Sequence, residues 1–208
     1  MSLIHWNFKK SIPANLKSNQ LQLIHYLCDN IMMPWKDTRL DKYLKNNIIG
    51  SDICFTMNLY EDDKCYQYTP EAPRTCIRTN ILDYSNLTIK FSVSFNEEVD
   101  CKFFWIRDEP DIHFKSRDVL ELHLRKGSFY VYDKHEDDLM IAENVDIYDK
   151  HSFEIVKEEG LVCICYNGEV ITNYFIEFKD EYWFNLGIMN KLKQDNSINV
   201  FDFEVKHI

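Results

Sequence analysis

Glu121, His123 and Arg125 take alternate positions in the stretch DVLELHLRKGSFYVYD (118–133), interleaved with Leu120, Leu122 and Leu124. An acid and an imidazole on one strand face can divide the roles of general acid and general base. Side chains two residues apart on a strand stand about 6–7 Å from each other. That spacing predicts a Glu121/His123 pair that straddles a substrate without direct contact. The plainer alternative is a solvated strand face with offsetting charges.

A second set combines aromatic rings, which stack on the apolar faces of a ligand, with planar polar groups, which hold its polar edges. Trp105 and Arg107 share parity in CKFFWIRD (100–108), and Trp183 and Asn185 share it in YWFNLGIMN (182–190). Ser92 and Ser94, both small, would leave room beside them. If these strands form one sheet with this face concave, Trp105, Arg107, Arg125, Trp183 and Asn185 bind the ligand, and Glu121 and His123 are catalytic. Both tryptophan strands are apolar on either side. Parity therefore leaves open a reading with Trp105 and Trp183 in the core and Phe104 and Phe184 outside.

Other constellations are weaker. Asp202 and Glu204 in VFDFEV can act as paired carboxylates or hold Ca²⁺, but they also read as the outer face of a last strand. EDDK (61–64) and HEDDL (135–139) lack the spacing of a calcium loop, and the seven histidines show no H-x-H or H-x-x-x-H pattern. No metal site is expected. No G-x-x-x-x-G-K-[ST], G-x-G-x-x-G or G-x-S-x-G run occurs among only five glycines, so no nucleotide or other cofactor is expected.

The elements that must position these residues are strands. LTIKFSVSF (87–95), CKFFWIRD, the opening stretch, LMIAENV (139–145), HSFEIVKEEG (151–160), LVCICYNGEVITNYFIEF (161–178), YWFNLGIMN and INVFDFEVKHI (198–208) follow at the short spacing of a sandwich. Gly127 and Ser128 are expected to reverse the chain, and Asn167–Gly168 is the strongest hairpin signal. Before residue 86, NQLQLIHYL (19–27) suits a strand, and residues 52–70 suit a hairpin. DTRLDKYLKNNIIG (37–50) suits a short helix, capped by Asp37 and ended by Gly50. Neither repeat nor linker appears, so residues 1–208 are read as one domain.

Bulk properties bound the partners. The 208 residues are 45% hydrophobic and 14% aromatic, enough for a real core. With 24 basic against 34 acidic residues the net charge is −10, which disfavours nucleic acid and anionic membrane surfaces. MSLIHWNFKK lacks a secretory leader and no run of 18 apolar residues occurs, so a cytoplasmic protein is expected. Seven cysteines, an odd number with no C-x-x-C, read as reduced and mostly buried thiols. Cys163 and Cys165 point to one face of a strand and are poorly placed to bridge each other.

The strand series from LTIKFSVSF to INVFDFEVKHI resembles the concanavalin A-like lectin/glucanase superfamily, most clearly over residues 80–208. HSFEIVKEEGLVCICYNGEVI is similar to its late hairpin pair. VFDFEVKHI is similar to its last strand, which returns to pair near the N-terminus. The resemblance implies an all-β fold, an antiparallel jelly-roll sandwich of two sheets, here with a short helical insertion near the N-terminus. It implies an oligo- or polysaccharide on the concave sheet. The superfamily holds lectins, glucanases, polysaccharide lyases and protein-binding modules. The E-x-D-x-x-E run of the glucanase branch is missing. Arg74 and Arg78 in PRTCIRT (73–79) resemble the arginine strand of its lyases, without the glutamate that follows there. The implied function is carbohydrate binding or processing. An enzyme would be a glycoside hydrolase or polysaccharide lyase, and the alternative is a non-enzymatic protein-interaction module on the same fold.

Overall fold

In HSFEIVKE, burial alternates along the strand: His151, Phe153, Ile155 and Lys157 point inward and the residues between them outward. Period-two patterning of this kind recurs along the chain and builds two antiparallel sheets. The computed structural model describes residues 3–6, 21–26, 44–50, 52–59, 74–81, 86–98, 100–107, 118–133, 138–176, 182–189 and 195–207.

Among the described residues one sheet has eight strands. They run β13 (Glu169–Phe175), β12 (Leu161–Tyr166), β11 (His151–Glu158), β6 (Leu87–Phe95), β15 (Asn196–His207), β4 (Asp52–Leu59) and β3 (Leu44–Ile49), and β1 (Leu3–Trp6) also pairs with β15. The last strand thus returns to the N-terminal one, with Leu3 opposite Lys206. The other sheet has seven: β10 (Asp138–Ala142), β9 (Ser128–Asp133), β8 (Asp118–Arg125), β7 (Cys101–Arg107), β14 (Tyr182–Met189), β5 (Arg74–Ile81) and β2 (Leu21–Tyr26).

The helix expected over 37–50 gives way to strand from Leu44 onward. β3 pairs with β4 in register from Leu44↔Met57 to Ile49↔Asp52. Gly50 at φ +61° makes the turn. The helical periodicity of Leu40, Tyr43 and Leu44 is a local signal, and a neighbouring strand offering a ladder of hydrogen bonds outweighs it. Residues 37–43 lie outside the described residues. The hairpin expected within 52–70 is also redrawn: β4 is real, but its partners are β3 and β15. Its expected second arm lies outside the described residues.

Three hairpins close on two-residue turns with both φ angles positive: Lys126–Gly127, Glu159–Gly160 and Asn167–Gly168. Such turns follow the right-handed twist of the strands they join. The reversal after β8 therefore uses Lys126 and Gly127 rather than Gly127 and Ser128, and Ser128 already pairs with Arg125.

The core between the sheets is aromatic. Phe91 of β6 stacks on Phe104 of β7 at 5.1 Å between ring centroids, and Phe103 meets Phe153 of β11 at 5.3 Å. Leu120, Leu122 and Leu124 are buried in the same cluster. Cys54, Cys101, Cys163 and Cys165 are free thiols, all buried except the half-buried Cys163. Complete burial pushes the Cys101 thiol up to about 12. Cys28, Cys65 and the Cys76 side chain lie outside the described part.

Candidate functional site

Leucines on one side of β8 leave Glu121, His123 and Arg125 on the side away from the core. Register extends this face across the sheet. Asn185, Trp105, Glu121, Tyr132 and Asp138 are successive partners across β14, β7, β8, β9 and β10. Met189, Lys102, His123, Tyr130 and Met140 form the neighbouring row.

Strict alternation cannot put Lys102 and Trp105 on one face, because they are three positions apart. A β-bulge does so. Lys102 pairs with His123 and Phe104 with Leu122, so Phe103 is an extra residue on β7. Both Phe103 and Phe104 then turn into the core, while Lys102 joins Trp105 outside it.

The result is a charged cluster around Glu121. Lys102 Nζ lies 2.6 Å from Glu121 Oε1, and His123 Nε2 lies 2.6 Å from Glu121 Oε2. The expectation that Glu121 and His123 stand apart is corrected. Their backbones keep the strand spacing, but their side chains lean together because a charge-assisted hydrogen bond rewards it. A carboxylate only accepts, so His123 donates through Nε2–H, and the neutral tautomer that fits this contact carries its lone pair on Nδ1. Both carboxylate oxygens of Glu121 are thus engaged, one by Lys102 and one by His123.

An aromatic strip lies beside this cluster. The His123 and Tyr132 ring centroids are 4.4 Å apart, and those of Tyr130 and Tyr132 are 6.5 Å apart. Arg125 Nη1 donates to the Tyr132 hydroxyl at 3.2 Å and sits 3.7 Å from Asp138 Oδ2. Those partners hold the exposed guanidinium, Tyr132 foremost, and push its pKa above the usual arginine value.

Trp105 and Asn185 share the face but are closed off: each is 0% exposed. The Lys102 ammonium lies 5.9 Å from the Trp105 ring centroid. Asn185 Nδ2 donates to the Trp105 carbonyl at 3.4 Å, and Trp105 Nε1 has no hydrogen-bond partner among the described residues. Trp105 therefore presents no open ring to a sugar in this conformation. Tyr130 and Tyr132, half-buried on the same face, do. Trp183 is the register partner of Arg107 one step further along; the side chains of both lie outside the described part. Phe104 and Phe184 are in the core, which decides the parity left open for β7 and β14.

Ser92 and Ser94 do not leave room beside Trp105, because β6 belongs to the other sheet. Ser92 meets Ser152 there at 3.0 Å, and Ser94 accepts from Asn199 at 3.2 Å. Asp202, on the outward face of β15, is exposed and pairs with Lys150 at 3.1 Å.

Sequence reasoning missed Lys102, Tyr130 and Tyr132. The tyrosines were legible in FYVY, since a tight hairpin puts them opposite His123 and Glu121. Lys102 was not, because nothing in CKFFW marks the bulge.

No family model matches the chain, and no curated protein does. Solved structures do. The alginate lyase from Corynebacterium sp. is 14% identical over 91% of this chain and 93% of that one, with a TM-score of 0.69. An alginate lyase from Pseudomonas aeruginosa is 10% identical over 91% and 98%, with a TM-score of 0.71. A doubly substituted family 7 alginate lyase in complex with substrate is 13% identical over 90% and 92%, with a TM-score of 0.69. At these identities the likeness shows the fold. It is a sandwich of two antiparallel sheets, the architecture that the strand series implied.

Proposed function

We propose that the chain binds an oligo- or polysaccharide on the core-averted face of the seven-stranded sheet, over β8 and β9. The observation that carries this reading is the strip of His123, Arg125, Tyr130 and Tyr132, anchored by the Lys102–Glu121–His123 chain of contacts. Tyrosine rings can take the apolar side of a sugar, while the guanidinium and imidazole take hydroxyls or carboxylates. The fold shared with polysaccharide lyases supports a saccharide as the ligand class. A net charge of −10 supports the expectation that nucleic acid is not the ligand.

The lyase neighbours favour a second reading on the same residues. His123 Nδ1 would remove the proton next to a sugar carboxylate while Arg125 holds negative charge; the freed electron pair forms a C=C bond as the β glycosidic C–O bond breaks, and the departing oxygen takes a proton from solvent. Calorimetric titration against alginate and a neutral glucan tests the first reading. His123→Ala and Tyr132→Ala should each weaken binding by about 10-fold or more, the loss of one or two good polar contacts. Unchanged affinity in both variants overturns it. Release of ultraviolet-absorbing unsaturated ends from a bound polysaccharide, abolished in His123→Ala, would establish the lyase reading.

A further inference from the structure

Cys163 and Cys165 belong to β12 of the eight-stranded sheet, far in the fold from the face just described. Residues two apart on a strand share a side, and these two face outward. Cys165 stands opposite Glu154 and Val170, and Cys163 opposite Val156 and Asn173. Their sulfurs are 3.9 Å apart. A disulfide needs its sulfurs about 2.05 Å apart with a dihedral near 90°. Two parallel side chains on an extended strand do not reach that without bending the backbone. A linear bis-thiolate needs twice a metal–sulfur bond of about 2.3 Å, or roughly 4.6 Å. The observed separation is nearer the second arrangement, and small side-chain rotations of the half-buried Cys163 close the difference.

We propose that Cys163 and Cys165 form a two-coordinate clamp for a soft monovalent d¹⁰ cation, with Cu(I) as the occupant. Thiolates select such ions over harder divalent metals. Among the described residues no group of three or more His, Cys, Asp and Glu is disposed to hold a metal. That donor set suits an ion content with two ligands and not a tetrahedral Zn²⁺. Val170 and Leu161 are exposed apolar residues on this side of the sheet edge. Lys90, ion-paired to Glu154 at 3.0 Å, is close enough to favour a thiolate at Cys165, while Glu154 opposes it more strongly. Binding breaks two S–H bonds, forms two S–Cu bonds and releases two protons to solvent, with no change of oxidation state. Burial and the neighbouring thiol push Cys165 up to about 11 in the empty pair. Binding therefore tightens with rising pH.

The test is an anaerobic titration of the reduced full-length chain against a chromophoric Cu(I) chelator. Wild type should withdraw one Cu(I) equivalent that Cys163→Ser and Cys165→Ser each fail to hold, with affinity at least about 100-fold weaker. The wild-type affinity should rise by up to about 100-fold per pH unit below the thiol range, the signature of two displaced protons. A second measurement guards against misfolded variants: bound Cu(I) should protect these two cysteines of the wild type from alkylation, read by peptide mass spectrometry. Equal copper uptake by wild type and both serine variants overturns the proposal. So does alkylation of Cys163 and Cys165 that Cu(I) does not slow.

Discussion

Lys102 and Trp105 are three residues apart on one strand, yet the lysine ammonium lies 5.9 Å from the tryptophan ring centroid on the same face. The extra residue Phe103 makes this possible, and it also lets two consecutive phenylalanines enter the core. One bulge thereby serves both the packing between sheets and the cluster outside them. Without it, alternation would send either the lysine or the tryptophan inward.

The Lys102–Glu121 pair is partly buried, with side-chain exposures of 13% and 23%. Its worth lies between that of an exposed pair and that of a desolvated one. Lys102→Met should cost about 1–2 kcal/mol in urea denaturation. A gain in stability would mean that desolvation outweighs the attraction.

The two sides of β8 predict opposite mutational outcomes. Leu122→Ala removes a fully buried side chain and should cost about 2–5 kcal/mol. Arg125→Ala, on an exposed residue, should stay within about 0.5 kcal/mol. Equal costs at the two positions would contradict the assignment of faces.

Asn167–Gly168 closes the hairpin between β12 and β13, with Gly168 at φ +88° and open space where a Cβ would stand. Gly168→Ala should therefore cost about 1–2 kcal/mol, from backbone strain alone. Denaturant midpoints of the two proteins check this. No measurable loss would show that the turn relaxes to another type.

Glu97 is half-buried, and its carboxylate accepts the Ser197 amide at 2.7 Å. Burial raises its pKa above the ordinary value of 4.5, with hydrogen bonds from Ser197 opposing the shift in part. A raised carboxyl pKa means that the folded chain binds more protons than the unfolded one just above pH 4.5. This group's contribution to stability therefore falls as pH rises through that window. Wild type should lose stability relative to Glu97→Gln between pH 4 and pH 7. Denaturant unfolding at the two values reads the difference, and a wild type that holds or gains stability relative to the variant as pH rises refutes the assignment.

The sequence by itself determined the strand character of the chain after residue 87, the Asn167–Gly168 hairpin and the inward leucines of β8. Each rests on an interaction within a few residues: side-chain alternation, or a turn that needs positive φ. It grouped Trp105, Glu121 and Asn185 only on the condition that their strands share a sheet, because parity is local to each strand and left the side of Trp105 open. Only the tertiary structure decided what those faces meet. Sheet partnership put Ser92 and Ser94 in the other sheet from Trp105. Long-range pairing with β4 made Leu44–Ile49 a strand where local periodicity favoured a helix. The bulge at Phe103 brought Lys102 to Glu121, and the burial of Trp105 left the half-buried Tyr130 and Tyr132 as the aromatic rings beside His123. Register between distant strands is a collective property of both sheets, and no short window of sequence contains it.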